Sequence, residues 1–300
     1  MTRGADRRSV LTGLGALGVA GCGRAEPAPP EQAVVAHEAF DLSALERDNG
    51  GRLGFVAHDT GSGRRLVWRG DERFVYCSTF KMFLAAATFL RVQAGEEQLD
   101  RRIPITAADM VSHAPVTEPA VGGSLSVEAL MKGAVDVSDN PAANLLLKAM
   151  GGLEPMRAFY RALGDASTTV DRFEPEMNRL DGDKDTITPL HATANLDRLL
   201  VDPATPLSEA FKTRLLRWMI DTPTGANRLR AGVPAGWTVA HKTGTGGYGP
   251  TNDIGVLYPP TGAPLIVAAY YHATRAAPAA RNEAVIAAAA RMAVEALGRA

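Results

Sequence analysis

Strand-like segments lie at the two ends of this chain and helical periodicity fills its middle, an order that few architectures can satisfy. GRLGFVAHDT (51–60) and RRLVWRG (64–70) read as two strands turned by Gly61-Ser62-Gly63, and WTVAHKTGT (237–245), TNDIGVLYP (251–259) and PLIVAAYYHA (264–273) return near the end. Between them VEALMKGAV, NPAANLLLKAM and LHATANLDRLL repeat their apolar residues at helical spacing. HEAFDLSALERD (37–48) reads as a short amphipathic helix, and Pro278 precedes a long Ala-rich one. Hairpin-joined strands predict an antiparallel sheet. The expected fold class is therefore α/β of the α+β kind: an antiparallel sheet flanked by helices, built from residues 37–70 and 224–300, with an all-helical lobe, 71–223, inserted.

At 300 residues, 46% hydrophobic and 22% charged, the chain is long enough to bury a large core. The formal charge is -1, and because residues 1–22 carry three arginines and one aspartate, the remainder holds about -3. That balance argues against a nucleic-acid partner, whose phosphates call for a clustered basic surface.

The first 22 residues read as an export signal. Arg7-Arg8 precedes an apolar, Gly-rich run too short to span a bilayer, and the pair resembles a twin-arginine signal. Val19-Ala20-Gly21-Cys22 resembles the lipobox of bacterial lipoproteins, which makes Cys22 a candidate for lipidation and membrane anchoring; cleavage near Ala20 and Gly21 is the alternative. Residues 23–36, with AEPAPPEQA at 25–33, form a Pro/Ala-rich tether. The only other thiol, Cys77, then has no partner for a disulfide and reads as a buried apolar residue.

Beside Cys77, Ser78-Thr79-Phe80-Lys81 opens a helical pattern that runs to about Gln93. Residues three apart share a helix face, so the Lys81 amine can reach the Ser78 hydroxyl. Serine is a weak nucleophile until a neighbour takes its proton, and a lysine with a depressed pKa can do that. Such a pair alone is weak evidence. Ser138-Asp139-Asn140 adds a hydroxyl and an amide between two helical patterns, and Lys242-Thr243-Gly244 ends a strand where glycine lets a ligand approach the backbone. In DRFEPEMN (171–178), Glu174 and Asn178 bracket Pro175 in a loop, where a fixed carboxylate can activate water against an acyl ester.

These four elements resemble those of the class A serine β-lactamases, over essentially everything after residue 37, with HAPVTE (113–118) and PAGW (234–237) as supporting stretches. The resemblance implies hydrolysis of penicillins and cephalosporins through a serine acyl-enzyme, hence resistance, without a cofactor, by an exported monomer whose partner is the small β-lactam substrate. It makes Ser78 the nucleophile, Lys81 its proton partner, Ser138 the donor to the departing nitrogen and Glu174 the holder of the hydrolytic water with Asn178. Asn140 would hold the substrate's side-chain amide. Lys242, Thr243 and Thr245 would hold its carboxylate, beside Gly244, and the amides of Ser78 and Thr245 would form the oxyanion hole. Whether Lys81 or Glu174 is the acylation base stays open.

Departures from the family pattern are local. Thr251 stands where many members have an arginine, and Arg228 matches the place of a substitute. His113 replaces a bulky aromatic at the mouth of the site, and the loop from Asn178 to Asp185 is about two residues short, with Arg172 and Asp185 able to pair across its neck. Gly246 stands where some carbapenem-hydrolysing relatives have a cysteine bonded to the one at position 77. None of the six histidines shows metal-ligand spacing. The alternatives are a D-alanyl-D-alanine peptidase and a sensor module that stays acylated, neither of which needs Glu174.

Overall fold

The computed structural model describes residues 37–247, 249–274 and 277–299; the export-signal, tether and Cys22 readings lie outside them. The strands are β1 (Glu38–Ala39), β2 (Gly51–Asp59), β3 (Arg65–Trp68), β4 (Phe74–Val75), β5 (Arg102–Pro104), β6 (Ser124–Ser126), β7 (Thr186–Ile187), β8 (Thr238–Thr245), β9 (Pro250–Tyr258) and β10 (Leu265–Ala273). The helices are α1 (Ser43–Asn49), α2 (Phe80–Gln93), α3 (Val127–Asp136), α4 (Asn140–Ala149), α5 (Glu154–Ala162), α6 (Pro189–Leu196), α7 (Glu209–Asp221), α8 (Leu229–Gly232) and α9 (Ala279–Ala296).

The main sheet runs β1-β3-β2-β10-β9-β8, so its early and late strands meet at β2 and β10. Strand β10 is buried on both faces, and its alternation sorts the interior into two cores. Ile266, Ala268 and Tyr270 join α2 to α7 on one side, while Val267, Ala269 and Tyr271 join α9 on the other. Two short ribbons, β4-β7 and β5-β6, complete the strands.

Two details differ from expectation. The helix foreseen over 37–48 begins only at Ser43, because residues 38–39 pair with β3 and the Phe40 amide donates to the Val67 carbonyl at 3.0 Å. Asp41 then turns the chain by accepting from the Ser43 amide at 2.9 Å. Since β1 runs parallel to β3, the sheet is mixed at that edge and antiparallel elsewhere.

Candidate active site

Ser78 sits in a single 3-10 turn, Cys77–Thr79, that leads into α2. The turn is held from two sides. Asn252, fully buried on β9, donates to the Val75 and Tyr76 carbonyls at 2.9 and 3.2 Å. Gly244 on β8 lies so close beneath the turn that a Cβ there would stand 2.8 Å from the Tyr76 carbonyl oxygen. Cys77 takes a left-handed backbone (φ 48°), and its thiol is buried and held well above the usual cysteine range by that burial, so it is no competing nucleophile.

One helical turn on, Lys81 is fully buried, with Nζ 2.9 Å from Ser78 Oγ and 3.0 Å from Glu174 Oε1. The same amine donates to the Ser138 carbonyl at 2.8 Å and to Asn140 Oδ1, so its donors point at a ring of oxygens. Burial lowers its pKa and the Glu174 carboxylate works against that shift. Ser78 Oγ is also 3.3 Å from Glu174 Oε1, which puts nucleophile, amine and carboxylate in mutual reach.

Glu174 comes from a loop far along the chain, and α4 fixes it. Asn144 accepts from the Glu174 amide at 2.9 Å and donates to the Glu174 carbonyl at 2.8 Å. Asn178 donates to Glu174 Oε2 and to the Pro175 carbonyl, following the cis Glu174–Pro175 bond. The loop's neck is closed by Arg172 Nε, 2.6 Å from Asp185 Oδ2.

Ser138 also has a left-handed backbone (φ 63°), which aims its Oγ between two lysines, 3.4 Å from Lys81 Nζ and 3.2 Å from Lys242 Nζ. Asp139 caps α4 by accepting from Ala142 and gathers the Val116 and Thr117 amides at 2.8 and 2.9 Å. The HAPVTE segment is thereby pinned at the site's edge. His113 there takes φ 62° and hydrogen-bonds through Nε2 to the Val137 carbonyl at 2.8 Å, with Asn140 donating to Ser112 at 2.8 Å.

These side chains surround a cleft of about 350 Å³ lined by Ser78, His113, Ser138, Asn140, Asn178, Arg228, Thr243, Gly244 and Thr245, with Lys81, Glu174 and Lys242 buried beneath it. Its far end is cationic. Arg228 bonds the Gly244 and Asn252 carbonyls at 3.0 and 2.8 Å, Thr245 Oγ1 at 2.9 Å and Glu283 at 3.1 Å. Burial, then the charge of Lys81, holds Lys242 well below the usual lysine range. All twelve residues foreseen as catalytic or substrate-binding thus converge on one place.

Sequence reasoning missed Asn144, Asn252, Thr224, Gly225 and Glu283. Asn144 had a local signal, four residues after Asn140 and hence on the same helix face. Thr224 and Gly225 stand in the turn just before Arg228, while Asn252 and Glu283 are brought in by β9 and α9.

The arrangement matches known proteins over nearly the whole described chain. The family model "Beta-lactamase enzyme family" matches residues 39–297. Beta-lactamase L2 of Stenotrophomonas maltophilia is 43% identical over 252 residues, covering 83% of this chain and 82% of that protein. Beta-lactamase OXY-2 of Klebsiella oxytoca is 39% identical over 258 residues, 85% and 88% of the two chains. Among solved structures, an ancestral class A β-lactamase superposes with TM-score 0.82 at 48% identity, covering 85% of this chain and 98% of its own. A class A β-lactamase from Mycobacterium abscessus gives TM-score 0.82 at 42% identity over 86% and 98%. A seryl-lysine pair backed by a loop carboxylate, on this fold and at this identity, makes the chain a member of the class A serine β-lactamase family.

Proposed function

We propose that the cleft opens the β-lactam amide of penicillins and cephalosporins in two steps on Ser78 and that the chain thereby confers resistance. The observation that carries this reading is the contact of Ser78 Oγ with both Lys81 Nζ (2.9 Å) and Glu174 Oε1 (3.3 Å). In the first step Ser78 Oγ attacks the lactam carbonyl, its proton passing to Lys81 or to Glu174, and the amides of Ser78 and Thr245 receive the oxyanion. The C–N bond breaks as Ser138 gives its proton to the leaving nitrogen, replenished through Lys81 or Lys242. Asn140 holds the side-chain amide of the substrate, His113 flanks it, and Thr243, Thr245, Lys242 and Arg228 hold its carboxylate. In the second step Glu174 takes a proton from a water that it and Asn178 hold, the water attacks the ester carbonyl, and the acyl C–O bond breaks as that proton passes to Ser78 Oγ.

A sensor that stays acylated has no use for a carboxylate in contact with its nucleophile, and a D-alanyl-D-alanine peptidase normally lacks this loop glutamate. Mass spectrometry after mixing with benzylpenicillin tests the assignment. Glu174→Ala should stay heavier by one whole substrate for minutes or longer, and Ser78→Ala should gain nothing. A parent protein that stays acylated, or normal turnover by Glu174→Ala, defeats the reading.

We further infer that residues 1–22 direct export of a monomeric enzyme, to the periplasm after simple cleavage or, with Cys22 lipidated, to the outer face of the membrane on the 23–36 tether. With Gly246 in place of a cysteine and Cys77 free, carbapenem turnover is expected to be weak. A carbapenem kcat/KM comparable to that for benzylpenicillin would refute this.

A further inference from the structure

Both cations at the carboxylate end of the cleft lean on one buried acid that lines no part of it. Asp253 on β9 and His241 on β8 are fully buried, and they lie on the sheet face turned to α9, opposite to Lys242. The register sets Thr243 against Asp253 and His241 against Gly255, so the two side chains are diagonal neighbours. His241 Nδ1 lies 2.9 and 2.8 Å from the two Asp253 oxygens. Asp253 Oδ2 also accepts from the Leu229 amide at 3.1 Å.

His241 immediately precedes Lys242 and Leu229 immediately follows Arg228. A single carboxylate therefore ties down the backbone next to each cation. The turn before Arg228 rests on the same ring: a Cβ at Gly225 would come within 2.7 Å of His241 Cε1 and 2.5 Å of Thr243 Cγ2, and the Arg228 amide donates to the Gly225 carbonyl at 3.0 Å. Charge adds to geometry, since Asp253 is the first of the carboxylates that oppose the depression of the Lys242 pKa. Among the described residues His241 Nε2 meets no hydrogen-bond partner, a cost that an apolar pair of the same volume would not carry.

We propose that the His241–Asp253 pair is a positioning element for substrate recognition, holding Lys242 from β8 and Arg228 from the start of α8 so that both meet the carboxylate of the β-lactam. The proposal rests on the reading that these two cations bind that carboxylate.

The test compares benzylpenicillin with its methyl ester, which keeps the lactam and lacks the charge. The parent enzyme should prefer the acid at least tenfold in kcat/KM. Asp253→Asn and His241→Ala should each lower that preference fivefold or more, through KM for the acid, with kcat/KM for the ester within twofold of the parent's. His241→Asn, whose amide can still donate to Asp253, should retain the preference. An equal fall on acid and ester, or an unchanged preference in both folded variants, overturns the proposal; should Asp253→Asn fail to fold, His241→Ala decides alone. A parent enzyme indifferent to the ester shows instead that the cations do not bind the carboxylate, and the proposal falls with that reading.

Discussion

The Asn144 carboxamide and the Glu174 main chain are joined by two hydrogen bonds, one in each direction, at 2.9 and 2.8 Å across thirty residues of sequence. The carboxamide acts as a template for the backbone of Glu174, satisfying both main-chain polar groups of that buried residue. The side chain of Glu174 is left to face Ser78 and Lys81.

Asn144→Ala should leave the Glu174 amide and carbonyl unpaired, at a cost of about 1 to 3 kcal/mol for each. The loop carboxylate is then displaced from Ser78, so the acyl-enzyme should accumulate much as in Glu174→Ala, with acylation less affected. Stopped-flow acylation, mass spectrometry and thermal denaturation read the three consequences. Parental deacylation in a folded Asn144→Ala would mean that the cis Glu174–Pro175 loop holds its own shape.

Arg228 brings its charge to the far end of the cleft, and a charge-assisted contact to the substrate carboxylate is worth about 1.5 to 3 kcal/mol when lost. Arg228→Ala should lower kcat/KM for benzylpenicillin roughly ten to a hundredfold without unfolding the protein. Parental kinetics would leave Lys242 as the sole anchor.

Acid should weaken the fold through buried imidazoles. His272 on β10 packs against Phe74 with ring centroids 5.0 Å apart, and burial, then the Arg52 charge, lower its pKa to about 4. His58 on β2 is likewise lowered to about 4, by burial and then Arg65. The unfolded chain, with an ordinary histidine pKa near 6.5, binds protons that the folded state refuses between about pH 6.5 and about pH 4. Stability is therefore full above that window and falls as pH drops through it, by up to about 3 kcal/mol for one such group. Urea titrations across the window should show a shallower pH dependence for His272→Gln; an unchanged slope would assign the loss to other groups.

Export should depend on the guanidinium pair. Arg7→Lys with Arg8→Lys should leave precursor in the cytoplasm, because a twin-arginine route reads more than charge. Unimpaired processing would point to the general secretory route. Labelled palmitate should enter the parent protein and not Cys22→Ala; a parent without label would show that cleavage occurs without acylation.

By itself the sequence determined whatever depends on short-range geometry. Helix periodicity placed Lys81 one turn from Ser78, and PLIVAAYYHA read as the strand it forms; the glycine of Lys242-Thr243-Gly244, read as room for a ligand, also makes room for the Tyr76 carbonyl. The segment at 37–48 misled for the converse reason: its helical pattern was overridden at residues 38–40 by pairing with β3, a partner nearly thirty residues on. Only the tertiary structure decided which remote groups hold those residues in place. Asn144 on Glu174, Asn252 under Tyr76, Glu283 on Arg228 and His241 on Asp253 are each set by the packing of separate elements. Such partners leave no trace at fixed spacing, because the distance between two elements in a folded chain is fixed by core packing and strand register rather than by the number of residues between them.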